Sequence, residues 1–441
     1  MPLNPILLEK FNEALLPVAA ASMTRRDARL PAIPGKVHAV IGMRRAGKTT
    51  FLRQLQTEAR QSLPPERAVY LSFDDDRLAD MDAEQLSLLI EEYYRRYPEL
   101  RGKEKVHWFF DEIQLVPGWD RLVRRLLDTE QVEIVVSGSS ARMLSREVHT
   151  SLRGRGMETI IRPFGFREFL RHRGEEPNIE PARWTAAARS LIEKRFREYL
   201  SEGGFPEAQG LNTSLRVPLL QSYVDSVLFR DVVERYGISQ VTALRWLIRQ
   251  CLRNPAGEFS IHRLHLDLKA QGHGVAKDAV HALFAHLVDA FLIDAVMLAT
   301  TSERRRNSNP RKVYPADTGL IGAYETSGRA NFGRALETVV HTELLRRGAD
   351  LGYVRTSRGF DVDFLAQMPG KVPALIQVCA DPGDAYTLTR ELRALDDAAQ
   401  EFPQASRQLL VLDRNSATVS VPSGVAVQPV YEWLLGLPEA S

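Results

Sequence analysis

Along the first third of the chain, continuous apolar runs alternate with stretches that are apolar at every third or fourth position. The runs are Val37–Ile41 and the segments RAVYLSFDDDRL, KVHWFFDEIQ and VEIVVSG. They read as strands buried on both faces, each ending in polar or small residues. Between them, DAEQLSLLIEEYYRRYP and GWDRLVRRLLD carry the period of helices packed by one side. The alternation predicts a parallel sheet with helices on both faces. Residues 1 to 30 predict an amphipathic helix, then a basic turn, MTRRDARLPAIPG, closed by Pro31, Pro34 and Gly35.

After IIRPFGFREFLRHRG the rhythm becomes helical, over residues 182–200, 217–236 and 241–252. Two further helices flank a glycine-rich turn, and a strand follows. The segment RRRNSNPRKVYPAD completes a hairpin. Beyond Gly328 the pattern is helix, three strands, helix and strand, ending near Trp433, which predicts a separate small α/β domain.

Composition narrows this picture a little. A chain of 441 residues suggests roughly two to four domains. The net charge of +2 does not announce a nucleic-acid partner, so such a partner must rest on local patches. Cys251 and Cys379 are far apart and not in ligand spacing, which fits a reducing, cytoplasmic setting. His262, His265, His273, His281 and His286 lack the cysteine or carboxylate spacing of a zinc site. The N-terminus lacks a secretory apolar core, and no apolar run approaches bilayer length, so no membrane partner is expected.

The chemistry concentrates after the first strand. Gly42-Met-Arg44-Arg45-Ala46-Gly47-Lys48-Thr49 fits G-x-x-x-x-G-K-[ST]. Strand before and helix after make a loop whose backbone N–H groups cradle phosphates at a positively polarised helix start. Lys48 would reach the β- and γ-phosphates of ATP. Thr49, followed by Thr50, would ligate Mg²⁺. Such a loop needs an acidic partner at another strand's carboxyl end, and VHWFFDEIQ supplies Asp111 for the metal and Glu112 as general base. The next strand offers Ser137 or Ser139 to orient water or touch the γ-phosphate. Just beyond the sheet, Arg155, favoured over Arg153, is a candidate arginine donated to a neighbour's γ-phosphate.

Together GMRRAGKTT, FFDEIQ, VSGSSARML, LRGR, RPFGFREFL, GGFPEA, LFRDVVERYGI and DVDF resemble bacterial and archaeal AAA+ ATPases with a trailing domain of long-unassigned function. The resemblance covers nearly the whole chain. It implies an α/β P-loop AAA+ αβα sandwich (36–172) after an N-terminal helical segment (1–35). It further implies a helical lid (173–238), a winged helix (239–322) and a restriction-endonuclease-like α/β domain (328–441). It implies Arg155 as a trans-acting finger in a homo-oligomeric ring. Arg44 and Arg45 are common inside the loop of such ATPases; the adenine side and a neighbouring subunit are the candidate contacts.

Residues 241–316 fit a helix-turn-helix with a β wing. Lys277 and His281 lie on the candidate recognition helix, and Arg304, Arg305, Arg306, Arg311 and Lys312 on the wing turn, where they would meet DNA phosphates. In the terminal domain, Glu337 and Asp363 align with the carboxylates of restriction-type nucleases. Gln377 replaces the next acid, and Cys379 stands where a lysine belongs. An amide and a thiol are poor Mg²⁺ ligands, so the domain is expected to lack nuclease activity. The leading expectation is a Mg²⁺-dependent ATPase acting on DNA as a motor or remodeller, branched DNA being one possible substrate. Its rivals are a nucleotide-gated regulatory switch with slow hydrolysis and an ATP-dependent nuclease.

Overall fold

The structure is a computed structural model and describes residues 2–16, 23–138, 152, 154–325 and 332–436. It divides into two compact units, Met1–Arg162 and Pro163–Ser441. No described helix is long and apolar enough to cross a membrane.

The first unit contains helix α1 (Pro5–Ala14), strand β1 (Val37–Ile41), α2 (Lys48–Ala59), β2 (Ala68–Ser72) and α3 (Ala83–Arg96). It continues through β3 (Val106–Asp111), α4 (Trp119–Thr129), β4 (Val132–Ser137) and β5 (Gly156–Ile160). The sheet order is β2-β3-β4-β1-β5, and every pairing is parallel. Parallel pairing puts the carboxyl ends of β1, β3 and β4 on one edge, with Val40 opposite Ser137. Helix starts follow local chemistry. The Asp82 carboxylate accepts the N–H groups of Glu84 and Gln85 at the start of α3, satisfying donors that a helix leaves unpaired. Tyr93 of α3 then packs edge-on against Trp108 of β3, centroids 4.9 Å apart, and against Phe11 of α1 at 6.0 Å. Full burial of each such ring contributes roughly 1.5–3 kcal/mol. Strand β5 is not apparent from hydropathy, because GMETI is only partly buried at the sheet edge.

The second unit opens with helices α5 (Phe166–His172), α6 (Ala186–Glu202) and α7 (Thr213–Ser226). A π-helical stretch, Val227–Val233, continues α7. Next come α8 (Val241–Arg253), β6 (Gly257–Phe259), α9 (Ile261–Ala270), α10 (Lys277–Asp289), β7 (Ile293–Leu298), α11 (Glu303–Ser308), β8 (Arg311–Pro315) and α12 (Thr318–Tyr324). The chain ends with α13 (Phe332–Arg346), β9 (Asp350–Arg355), β10 (Asp361–Gln367), β11 (Ala374–Cys379), α14 (Ala385–Glu401), β12 (Ser406–Val411), β13 (Val425–Pro429) and α15 (Val430–Leu435).

Where the sequence suggests separate lid, winged-helix and terminal domains, residues from all three meet in one core, while Val354, Leu395 and Leu409 belong to a second core within the terminal part. Phe164, Phe196, Tyr314, Leu336, Phe364 and Val430 belong to a single buried cluster. Phe166 and Phe169 pack into it as well, so residues 163–172 lie in this compact unit. One eight-stranded sheet, β13-β12-β11-β10-β9-β7-β8-β6, also runs through the unit. Its join is the parallel pairing of Met297 with Gly352 and Leu298 with Tyr353.

A second joint explains the GGFPEA segment. Asp317, before α12, accepts the N–H of Gly204 at 2.7 Å and of Gly319 at 2.9 Å. A side chain at Gly204 would put its Cβ 2.1 Å from the carbonyl oxygen of Phe164. Burial pushes the Asp317 carboxyl up to about 6, against the lowering effect of the two N–H groups.

Candidate nucleotide site and basic surface

Strand β1 delivers Gly42 at φ 144°, and Gly47 at φ 98° opens α2. Gly42 has no room for a side chain, since a Cβ would lie 2.1 Å from Ile161 O on the neighbouring strand's exit. No side chain caps α2, which keeps its first N–H groups for an anion. Lys48 is buried and folds back over the loop. Its Nζ donates to Gly42 O at 3.0 Å and Met43 O at 3.1 Å, while Thr49 and Thr50 face solvent. Arg45 is exposed at φ 64°, an uncommon conformation for a side chain other than glycine, whereas Arg44 is half-buried.

Asp111 ends β3 at 2% exposure. Its Oδ2 accepts the Tyr70 hydroxyl at 2.7 Å and its Oδ1 the Ser137 hydroxyl. Ser137 also accepts the Glu112 N–H at 3.2 Å. Its hydroxyl is thus turned onto the acidic pair. Ser139 lies outside the described residues. Burial, and then the Asp111 charge, hold the Tyr70 hydroxyl well above the usual tyrosine range, so it remains a donor. The Arg53 guanidinium covers the Tyr70 ring at 3.4 Å. Glu112 adopts φ 54°, and its Oε2 accepts the Gln114 amide at 2.5 Å.

Two positioning residues escape sequence reasoning. Gln114 is the last residue of the DEIQ segment and tethers the candidate base. Arg26, hidden inside what reads as a basic turn, is 4% exposed. Its guanidinium donates to Ala46 O within the phosphate loop at 2.8 Å and to Arg162 O, while Gln54 Oε1 accepts its backbone N–H at 2.7 Å. A buried arginine spent on backbone carbonyls leaves no motif, only the juxtaposition TRRDARLP.

Arg155 is partly exposed and ion-paired with Asp128. Its carbonyl accepts the Val37 N–H at 2.8 Å, at the amino end of β1. The phosphate loop leaves the other end of this five-residue strand, a span of roughly 17 Å at about 3.3 Å per residue. Arg155 is therefore distant from its own chain's loop. Arg153 lies outside the described residues.

Nucleotide and metal fit these residues. The uncapped helix start, the Lys48 ammonium held in the loop by carbonyls that a phosphate can replace, and exposed Thr49 beside the Asp111 edge provide the donors and acceptors that ATP with Mg²⁺ requires. Among the described residues no group of three histidine, cysteine or acidic side chains forms a metal cluster.

In the second unit the candidate DNA residues separate. Lys277 and His281 are exposed on α10. Arg304 and Arg305 are exposed and Arg306 half-buried, all on α11, a short helix capped by Ser302 where the sequence suggests a turn. Arg311 is half-buried, its guanidinium 5.6 Å from the Phe284 ring. Lys312 does not join them. It is 8% exposed, with Nζ 2.7 Å from Asp363 Oδ1 and 3.1 Å from Glu337 Oε1. Side chains alternate faces along a strand, which sends Lys312 of β8 inward beside outward Arg311. Burial opposes the Lys312 charge, but the two carboxylates outweigh it and hold the ammonium protonated. Burial, and then Asp363, push Glu337 up to about 7, against the lowering effect of Lys312 and of the Tyr314 hydroxyl.

Residues 34–170 match the family described as an AAA domain, and residues 193–330 match a domain of unknown function, DUF8612. An uncharacterized protein of Haemophilus influenzae is 26% identical over 404 residues, covering 90% of this chain and 94% of the relative. The Walker-type ATPase PABY2304 of Pyrococcus abyssi is similar with a TM-score of 0.41 and 13% identity, over 65% of this chain and 90% of that one. The uncharacterized protein MJ1544 of Methanocaldococcus jannaschii is 30% identical over 426 residues, 94% of this chain and 92% of the relative. The chain belongs to the same family as that Methanocaldococcus protein, and its residues 34–170 are an AAA-type P-loop ATPase domain.

Proposed function

We propose that the chain hydrolyses ATP with Mg²⁺, assembles through its ATPase domain and couples turnover to DNA. The observation that carries the reading is the convergence of the Gly42–Thr50 loop, Asp111 and Glu112 on one sheet edge. Loop N–H groups and Lys48 would hold the phosphates. Thr49 and Asp111 would hold Mg²⁺, whose role is to neutralise charge that develops on the phosphates. Glu112 would orient and deprotonate the attacking water. Ser137 and Tyr70 fix Asp111, and Arg26 steadies the loop from behind. Arg155 is remote from its own loop, so an action on nucleotide requires a neighbouring subunit, which supports a self-assembled ring.

The DNA part rests on exposed Lys277, Arg304 and Arg305, with half-buried Arg306 and Arg311, in the second unit. Its test is the ATPase rate with and without single-stranded, duplex and branched DNA, for the parent and for an alanine variant of Arg304, Arg305 and Arg306. The variant is expected to bind all DNA sequences more weakly, with a salt slope lower by roughly one unit per lost phosphate contact. Unchanged affinity and slope would sink the assignment. A second reading, a nucleotide-gated switch with slow hydrolysis, draws support from Gln114 holding the Glu112 carboxylate. It gains if DNA leaves turnover unchanged.

A further inference from the structure

The terminal part of the second unit lacks the lysine that a nuclease-like strand should carry on β11, yet a lysine reaches the two carboxylates from elsewhere. Lys312 comes from β8, separated from β10 by two strands of the sheet, β9 and β7. Its ammonium lies between Asp363 on β10 and Glu337 on α13. The remaining contacts close the cradle. Tyr314 donates to Glu337 Oε1 at 2.7 Å, and Val378 N–H to Asp363 Oδ2 at 3.0 Å. Gln377, in place of the second acid, donates to Glu391 Oε2 at 2.5 Å and accepts Asp363 N–H at 3.2 Å.

The divalent metal that the nuclease-like reading implies does not fit this arrangement. A cation already sits against both carboxylates, Gln377 puts an amide where an acid belongs, and the Cys379 thiol is 4% exposed and pushed up to about 11 by burial. Mg²⁺ favours several oxygen ligands and retained water, whereas here both Asp363 oxygens and Glu337 Oε1 already accept from protein donors.

We propose that the Lys312 ammonium is a resident replacement for a divalent cation between Glu337 and Asp363, and that this ion cluster fastens the β7–β8 hairpin to the terminal strands. The cradle keeps the carboxylates of a metal site, but its cation is supplied covalently by the chain. Sheet continuity at Met297–Gly352 and the shared core brace the same join. The inference rests on the nuclease-like reading of the terminal strands and is independent of ATP hydrolysis, so its failure and that of the ATPase reading are distinguishable.

The experiment uses the full chain without nucleotide, in a background carrying Asp111→Asn, and adds Mn²⁺. Uptake is read by electron paramagnetic resonance, and stability by thermal unfolding. Lys312→Ala is expected to lower the unfolding midpoint by roughly 10 °C, since it leaves buried carboxylates without their counter-ion. It is also expected to take up Mn²⁺ and regain part of the loss, whereas the chain with Lys312 intact does neither. Should Lys312→Ala fail to fold, Lys312→Ala with Asp363→Asn is decisive. Removing the buried charge should make that double variant more stable than the single one, and it should take up no Mn²⁺. Three results overturn the inference: Mn²⁺ uptake with Lys312 in place, no uptake by a folded Lys312→Ala, or a double variant no more stable than the single.

Discussion

The two units use similar charged groups in opposite ways. In the first, Lys48, Asp111 and Glu112 gather at a sheet edge beside exposed Thr49 and Thr50. Lys48 bonds loop carbonyls five and six residues away, and an incoming phosphate can take their place. In the second, Lys312 binds carboxylates 25 and 51 residues distant and is closed over by the fold. A lysine held by its own loop is available for chemistry. A lysine held by remote elements is committed to joining them.

That contrast can be broken by removing one group from each unit. The largest effect is expected where a second subunit is needed. Arg155→Ala should lower turnover by about 10³-fold or more if the arginine serves a neighbour's nucleotide, while each chain still folds and binds ATP. Mixing it with Lys48→Ala protein should restore activity, since mixed assemblies pair an intact loop with an intact arginine. No recovery in mixed oligomers shown to form would remove the trans role.

Gly204→Ala should cost the second unit more than about 3 kcal/mol, because the added carbon meets a backbone oxygen that cannot swing away. Denaturant unfolding checks this, with the phosphate loop's nucleotide affinity as the control. Arg26→Ala tests the first unit's hidden support. It removes donors from the Ala46 and Arg162 carbonyls, for a loss of about 2–4 kcal/mol. Nucleotide affinity should fall with it. Normal stability and affinity would show that the loop holds its shape unaided.

The smallest effect concerns pH. Asp317 binds its proton more tightly folded, near 6, than unfolded, near its ordinary value. Its contribution is therefore fully present below about pH 4 and is lost as pH rises through about 6. The stability gap between wild type and Asp317→Asn should narrow by about 2 kcal/mol between pH 4 and pH 7. A gap that widened with rising pH would reverse the assignment.

The nucleotide loop was legible because its chemistry is contiguous: a strand, a fixed spacing and a helix lie within Val37–Ala59. Asp111 and Glu112 were legible because an apolar run ends on them. Arg26, Tyr70 and Gln114 were not, since hydrogen bonds between residues far apart or to backbone oxygens leave no periodic trace. Strand β5 was lost to partial exposure. In the second unit the helices α8 to α10 and the hairpin strands were readable one by one, but the β7–β9 pairing was not. Hydropathy predicts that a strand is buried and not which strand lies beside it, so separate domains were expected where the core is shared. Lys312 was misassigned for the same reason. Beside Arg311 it reads as part of a basic surface, and only the strand's alternation turns it inward.

The most direct test of the account is steady-state ATP hydrolysis with Mg²⁺ by the wild-type chain and by Glu112→Gln, with nucleotide binding measured on both. Wild type should turn over ATP. Glu112→Gln should bind ATP comparably while losing about 10²–10⁴-fold in turnover, because the phosphate cradle stays and the base is removed. Equal turnover by the two proteins would contradict the assignment of Glu112 and of the edge formed by β1, β3 and β4 as the hydrolytic site.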